Sequence, residues 1–267
     1  MSGPVHQCPP AVLSLEVCLA VKTTNILSRE IPQAYNLLRW ANGCLNWWPG
    51  DTAIEIIVGA ILTQNTAWTN VQKAIGKLRC ENLLSVPALR HVENEALEQA
   101  IRPSGYFRQK TKKLKAFINY IDSAFGGSLD RMNMVPTQEL RRELLSVWGI
   151  GPETADSILL YAFNRSVFVV DTYTKRIACR HEWALPSIQY EELQNCFIEH
   201  LPEETALYND YHAQIVKTGK TSAGLILTAT AVRYARCFPE ADGEANKPVV
   251  QPEPQRAKRY PNNQTCK

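Results

Sequence analysis

No run of apolar residues in this chain reaches the roughly 18 that a membrane span needs. The longest candidate, 11–21, contains Glu16 and has no basic segment ahead of it, which also argues against a cleaved secretory leader. Ordered cysteine pairs are missing as well. The cysteines at 8, 18, 44, 80, 179, 196, 237 and 266 form no CxxC pair, so neither a zinc site nor a secreted disulfide framework is expected. Most of them are predicted to be buried small hydrophobes in a reducing compartment. The histidines at 6, 91, 181, 200 and 212 share no metal-ligand spacing. Strong net charge is lacking too: the balance is only +3, so any case for nucleic acid must rest on local patches. Strand-like alternation is nearly absent outside residues 167–170, which predicts an all-α protein. Together these absences point to an intracellular, cytoplasmic helical protein. Its 267 residues suffice for one domain or two small ones, and its 45% apolar content is ordinary for a globular chain.

What is present centres on Leu144–Arg180, LLSVWGIGPETADSILLYAFNRSVFVVDTYTKRIACR. It reads as helix, glycine-bracketed hairpin, helix, a short extended run and an aspartate opening another helix. Gly149 and Gly151 flank apolar Ile150, and glycine allows positive φ or close approach of backbone to another surface. Pro152 and Glu153 follow at positions favoured in a first helical turn. Ala155, Ile158, Leu159 and Ala162 recur at i, i+3, i+4 and i+7, one apolar helix face. Such a turn points backbone N–H groups outward at a helix N-terminus, where a phosphate can be received. The VFVV run at 167–170 reads as buried and extended, delivering Asp171 to its end.

Upstream, Leu37, Leu38, Ala41 and Leu45 predict one helix face, and Trp47-Trp48-Pro49-Gly50 a turn with two apolar packing anchors. Asp51 or Thr52 can cap a helix carrying Ile54, Ile57, Val58, Ile61 and Leu62 on one side. It breaks at the polar tetrad Thr63-Gln64-Asn65-Thr66, and a helix with Val71, Ile75 and Leu78 inward follows. Residues 84–103 suggest one short helix. The next one buries Leu114, Phe117, Ile118 and Ile121 and stops at Gly126-Gly127, and Thr137 starts the helix leading into the hairpin. Beyond Asp171, helices are expected near 172–181, 190–200 and 206–218. Residues 1–10 read as loose, and the Pro-, Glu-, Lys- and Asn-rich chain from about 240 as a disordered tail.

Between 102 and 115 stand Arg102, Arg108, Lys110, Lys112, Lys113 and Lys115 without one acid. Such a run is either the solvated side of an amphipathic helix or a phosphate-contacting face, with Tyr106 and Phe107 near enough to stack on or wedge a base. Lys175 and Arg176, just after Asp171, are further candidates for backbone contact.

LxxxxGIGxxTA followed about twenty residues later by VVD, with LTQNT upstream, resembles the helix-hairpin-helix–GPD superfamily of DNA glycosylases, most closely endonuclease III and its relatives. The resemblance runs from about Trp47 to about Gly219. It implies two helical lobes with a DNA cleft between them. Residues 1–23 would be an N-terminal extension, 24–46 and 166–239 a lobe from both chain ends, 47–165 a six-helix barrel with the hairpin, and 240–267 the tail. It further implies a monomer that binds double-stranded DNA containing a damaged or mismatched base, nucleoid-associated in a bacterium or nuclear in a eukaryote.

Role by role, the resemblance makes Gly149, Ile150 and Gly151 a grip on the DNA backbone, with Lys110, Lys112 and Lys175 as further DNA contacts. Gln64 would fill the gap left by a flipped base; its other reading is loop hydrogen bonding. Asp171 would be catalytic, stabilising an oxocarbenium-like sugar and orienting or activating water. An N-cap role alone is the competing reading, and the two are compatible. Bifunctional members carry GxGxKTA, whose lysine attacks the sugar to form an imine. This chain has GIGPETA, with Glu153 at that place, and a carboxylate forms no imine. A monofunctional glycosylase leaving an abasic site is expected. Glu153 either offsets the helix dipole or assists with water or the flipped base.

Close relatives end in C-x6-C-x2-C-x5-C, four thiolates that hold a [4Fe–4S] cluster. Here HAQIVKTGK continues TSAGLILTATAVRYARCF, with Cys237 alone nearby. No iron–sulfur cluster is expected: either the lineage lost it or the reading frame after about Lys220 is altered. His212 falls where relatives carry a histidine before the cluster loop and reads as structural. The resemblance also permits a monovalent cation at the hairpin.

Overall fold

The computed structural model describes residues 15–45 and 47–220. Expectations for residues 1–10, for Cys237 and for the tail from 240 lie outside that range. Among the described residues there are twelve α-helices and no strand, an all-α chain. It divides into two compact units, whose described parts are 50–158 in one and 15–49 with 159–220 in the other.

The unit 50–158 opens on α2 (Ala53–Leu62), where Thr52 Oγ1 accepts from Glu55 N at 3.3 Å as the N-cap. Its Ile57, Ile61 and Leu62 are fully buried. The buried Glu55 carboxylate is paired with Arg79 at 2.6 Å from α3 (Trp68–Cys80), so the one charge on this face is satisfied. The single helix expected over 84–103 is instead two, α4 (Val86–His91) and α5 (Asn94–Ile101), closed by a 3₁₀ turn at Arg102–Ser104. The break has a tertiary cause. Val92 and Glu93 are extended, and the Lys115 ammonium donates to the freed carbonyls of Leu89, Arg90 and Val92 at 3.0, 3.2 and 2.6 Å.

Helix α6 (Phe107–Phe125) buries Leu114, Phe117, Ile118 and Ile121 as its period requires, and ends at Gly126 with φ 61°. A short α7 (Leu129–Asn133), capped by Ser128, has no counterpart in the sequence reading. Helix α8 (Thr137–Ser146) then leads through the hairpin to α9 (Pro152–Ser157). Arg141 grips the fully buried Asp156 bidentately, Nε at 2.7 Å and Nη2 at 3.1 Å, tying α8 to α9. Past Ser157 the helix widens into a π turn, Ile158–Ala162.

In the other unit, α1 (Leu15–Asn42) buries Leu27, Ile31, Ala34, Tyr35 and Leu38. The face predicted from Leu37, Leu38, Ala41 and Leu45 is therefore rotated: Ala41 is exposed, and Leu37 and Leu45 are half-buried. Contacts with α12 (Thr205–Gly219) set that rotation, with Tyr35 Oη donating to Asp210 at 3.1 Å and Tyr211 Oη to the Ile31 carbonyl at 2.9 Å. The VFVV segment is buried and has no regular secondary structure. Side chains of α11 (Tyr190–Ile198) satisfy it: Gln194 Nε2 donates to the Phe168 carbonyl at 2.7 Å, and Val170 N donates to Tyr190 Oη at 3.3 Å. Phe168 stacks on Phe197 at 4.5 Å, with Tyr208 and Tyr211 edge-on. This core fixes the origin of α10 (Thr172–Arg180).

Among the described residues, the cysteines do not behave as buried hydrophobes. Cys44 and Cys80 are exposed, and Cys179 and Cys196 half-buried, because they fall on helix flanks and a chain turn rather than on packed faces. No described helix is long and apolar enough to cross a membrane.

Candidate active site

Within the unit 50–158, the hairpin is built to present main chain. Gly149 has φ +87°, and a Cβ there would meet Lys113 Cγ at 2.5 Å. Gly151 is extended and exposed, with open space where a Cβ would stand, and Ile150 between them is buried. Gln64 braces the turn: its Nε2 donates to the Gly149 carbonyl at 3.1 Å and to Thr154 Oγ1 at 3.0 Å, and its Oε1 accepts from the Lys113 ammonium. One amide thus holds both sides of the hairpin from the end of α2. Glu153 lies exposed in the first turn of α9, and Trp148 is 56% exposed.

The basic run on α6 separates by register. Lys112 faces solvent. Lys110 does not: it is 2% exposed and its ammonium donates to the carbonyls of Leu62 at 2.9 Å and Ser104 at 2.7 Å. Burial, followed by the neighbouring Lys113 charge, lowers its pKa to about 8. Its assignment as a DNA contact is corrected accordingly; it closes the ends of α2 and the 3₁₀ turn. Arg102 and Arg108 both lie over the Phe107 ring, and Tyr106 is 71% exposed at φ 46°.

In the unit 15–49 with 159–220, Asp171 caps α10. Its Oδ1 accepts from Thr174 N at 2.7 Å and Thr174 Oγ1 at 2.9 Å, and Thr174 Oγ1 accepts from Asp171 N at 3.4 Å, a closed capping box. One oxygen is fully occupied. The other, Oδ2, lies 3.8 Å from Nε2 of His212 on α12. The His212 ring is 5% exposed, and its Nδ1 is hydrogen-bonded to Tyr161 Oη. Tyr161 belongs to the π turn and packs on Trp48 with ring centroids 5.0 Å apart, so the apolar anchor read from the sequence also backs this network.

Burial lowers the pKa of His212, opposed by the Asp171 charge and reinforced by Lys220. Burial also lowers that of Lys220, again opposed by Asp171; its ammonium lies 5.8 Å from the Trp47 ring centroid. Gly219 lies against the Tyr173 ring, where a Cβ would collide, so α12 meets α10 closely at this position. Lys175 Nζ donates to the Ile188 carbonyl at 2.9 Å, which ties it to the following loop. No pattern in the sequence marks His212, Tyr161 or Lys220 as neighbours of Asp171. Their separations along the chain carry no local signal.

No group of three or more His, Cys, Asp or Glu able to hold a metal converges among the described residues. The chain's cysteines also do not fit a four-thiolate cluster, since only Cys237 and Cys266 follow Lys220.

A family model described as HhH-GPD superfamily base excision DNA repair protein matches residues 58–203. A Methanocaldococcus jannaschii protein with the provisional name DNA repair glycosylase is 43% identical over 188 residues, which cover 70% of this chain and 86% of that one. Endonuclease III of Thermotoga maritima is 28% identical over 166 residues, 62% of this chain and 72% of its own. Among solved structures, the H. pylori 3-methyladenine DNA glycosylase bound to 1,N6-ethenoadenine matches with a TM-score of 0.62 and 28% identity, covering 74% of this chain and 97% of that one.

The chain belongs to the HhH-GPD superfamily of base excision DNA repair proteins. It is a DNA glycosylase, acting on N-glycosyl bonds in DNA.

Proposed function

We propose that the protein is a monofunctional glycosylase that hydrolyses the bond between a damaged base and its sugar, with Asp171 as the catalytic carboxylate. The observation that carries this reading is the division of labour on that side chain. Oδ1 is fully engaged as the cap of α10, and Oδ2 stands outside that capping box, 3.8 Å from His212 Nε2. As the bond from C1′ to the base nitrogen breaks, its electron pair leaves with the base and C1′ becomes cationic. An ionised carboxylate opposite it lowers that barrier and can take the proton of the incoming water. The product is an intact strand with an abasic site.

Glu153 supports the hydrolytic route, because an acid stands where bifunctional relatives place the amine that forms an imine. Gly149, Ile150 and Gly151 supply the backbone grip, Lys112 a phosphate contact, and Gln64 the brace that keeps the grip in shape. A monovalent cation at the hairpin and a monomeric state belong to the same reading, and no iron–sulfur cluster is required. Alkylated adenine is the first substrate to offer, given the 28% identity to a 3-methyladenine glycosylase.

A lesion panel spanning alkylated purines, oxidised pyrimidines and mismatched uracil or thymine decides the matter. Base release with strand breaks only after alkaline work-up is expected. Breaks without alkali, or a borohydride-trapped protein–DNA adduct, would replace this reading with a lyase using another lysine.

A further inference from the structure

We propose that His212 is a positioning residue for Asp171, its Nε2–H aimed at Oδ2 while Tyr161 holds the other ring nitrogen. The inference rests on Asp171 being the catalytic carboxylate.

Three observations within one unit lead to it. The imidazole is 95% removed from solvent by its 5% exposure, yet Nε2 has no hydrogen-bond partner. A buried polar nitrogen without a partner is unfavourable and is retained where something offsets it. The acidic oxygen it faces is Asp171 Oδ2 at 3.8 Å, within ion-pair reach though longer than a hydrogen bond. The opposite nitrogen is already committed to Tyr161 Oη.

Tyr161 also decides the tautomer. Burial, and then the Asp171 charge, drive its hydroxyl far above the ordinary tyrosine range, so it keeps its proton. If that proton goes to Nδ1, the neutral ring carries its own proton on Nε2, facing Oδ2 with attraction. The reverse tautomer would turn a nitrogen lone pair toward a carboxylate, which is repulsive. The charged groups facing the ring are Asp171 from the head of α10 and Lys220 from the end of α12; Tyr161 faces it from the π turn. Burial and Lys220 both oppose an imidazolium, and Asp171 alone favours it.

His212 therefore acts as a neutral donor. Thr174 orients Oδ1, and His212 orients Oδ2 and favours its ionised form while positive charge grows on the sugar. The ring keeps its proton throughout and takes no part in bond making.

The first test uses the unaltered full chain. ¹⁵N spectra of the His212 ring should show protonated Nε2 and bare Nδ1 at neutral pH. In Asp171→Asn, its titration should move to lower pH, because the group that favours the charged ring is gone. A protonated Nδ1, a doubly protonated ring at neutral pH, or a titration indifferent to Asp171→Asn would overturn the proposal.

The second test is kinetic. His212→Leu should lower kcat about 10- to 100-fold with KM little changed, and move the acid limb of the kcat profile to higher pH, since Asp171 loses a donor to its charged form. His212→Gln, which restores an N–H at similar reach, should recover part of the rate and return the limb. Tyr161→Phe should shift the limb in the same direction but less. A folded His212→Leu protein whose acid limb stays in place would overturn the proposal. Full activity in Asp171→Asn, with the Nε2–H tautomer present, would instead sink the assignment of Asp171 as the catalytic carboxylate.

Discussion

The hairpin and the head of α10 present opposite kinds of chemistry by opposite means. At the hairpin, side chains serve the backbone: Gln64 holds the Gly149 carbonyl and Thr154, Lys113 holds Gln64, and Arg141–Asp156 ties the flanking helices. At Asp171 the surroundings serve a side chain: Thr174 N and Oγ1 pin one carboxylate oxygen and leave the other outside the capping box. A main-chain grip suits a phosphodiester, whose charge is the same at every nucleotide. A held carboxylate suits one atom of one sugar. The first tolerates sequence, and the second demands position.

That contrast can be broken at several points. Asp171→Asn keeps most of the cap but loses the charge, so base release should fall by about a thousandfold or more in single-turnover assays, while gel-shift affinity for lesion DNA stays within a few-fold. Activity within tenfold of the parent would remove the carboxylate from the mechanism.

A smaller effect concerns Lys110, the lysine of α6 that turned inward. Its folded-state pKa of about 8 lies below the ordinary 10.5, so between those values the unfolded chain binds more protons. Stability from this group therefore rises with pH through that window and is lost as pH falls through it. Denaturant titrations should show the parent gaining on Lys110→Met by up to about 1.4 kcal/mol per pH unit there. An identical pH dependence in both proteins would argue against a buried ammonium.

Gly149→Ala forces a side chain into φ +87° and against Lys113. It should cost about 1–3 kcal/mol of stability and weaken binding to undamaged DNA as well as lesion DNA. Gly151→Ala is the sharper probe. Its backbone is extended and its Cβ meets nothing, so stability should change by less than about 0.5 kcal/mol. Any loss of DNA affinity would then report crowding at the grip itself. If the two alanines weakened binding only in proportion to destabilisation, the backbone grip would be the wrong description.

Much of this arrangement was legible in the chain. The hairpin, Pro152 at the head of α9 and the cap at Asp171 follow from local rules, since each concerns residues within four of one another. The buried faces of α2 and α6 follow from their period. The split of 84–103 did not, because Lys115 from α6 supplies the donors that stabilise the break. Nor did the turn of α1, where contacts with Asp210 and Tyr211 choose the face. The basic run looked uniform because composition does not say which side of α6 is packed. Register buries Lys110 and leaves Lys112 in solvent.

The sequence by itself determined that helices form, where a glycine turn interrupts them, that an aspartate heads α10, and that Glu153 occupies the place of an imine-forming amine. These are matters of local propensity, spacing and functional-group chemistry. Only the tertiary structure decided which polar groups meet: Gln64 with Gly149, Lys110 with two carbonyls, and His212 with Asp171 and Tyr161. Apart from Lys110 with the nearby Ser104 carbonyl, such meetings join residues about 40 to 85 positions apart. They are set by how apolar faces pack, and no short pattern in the chain encodes that.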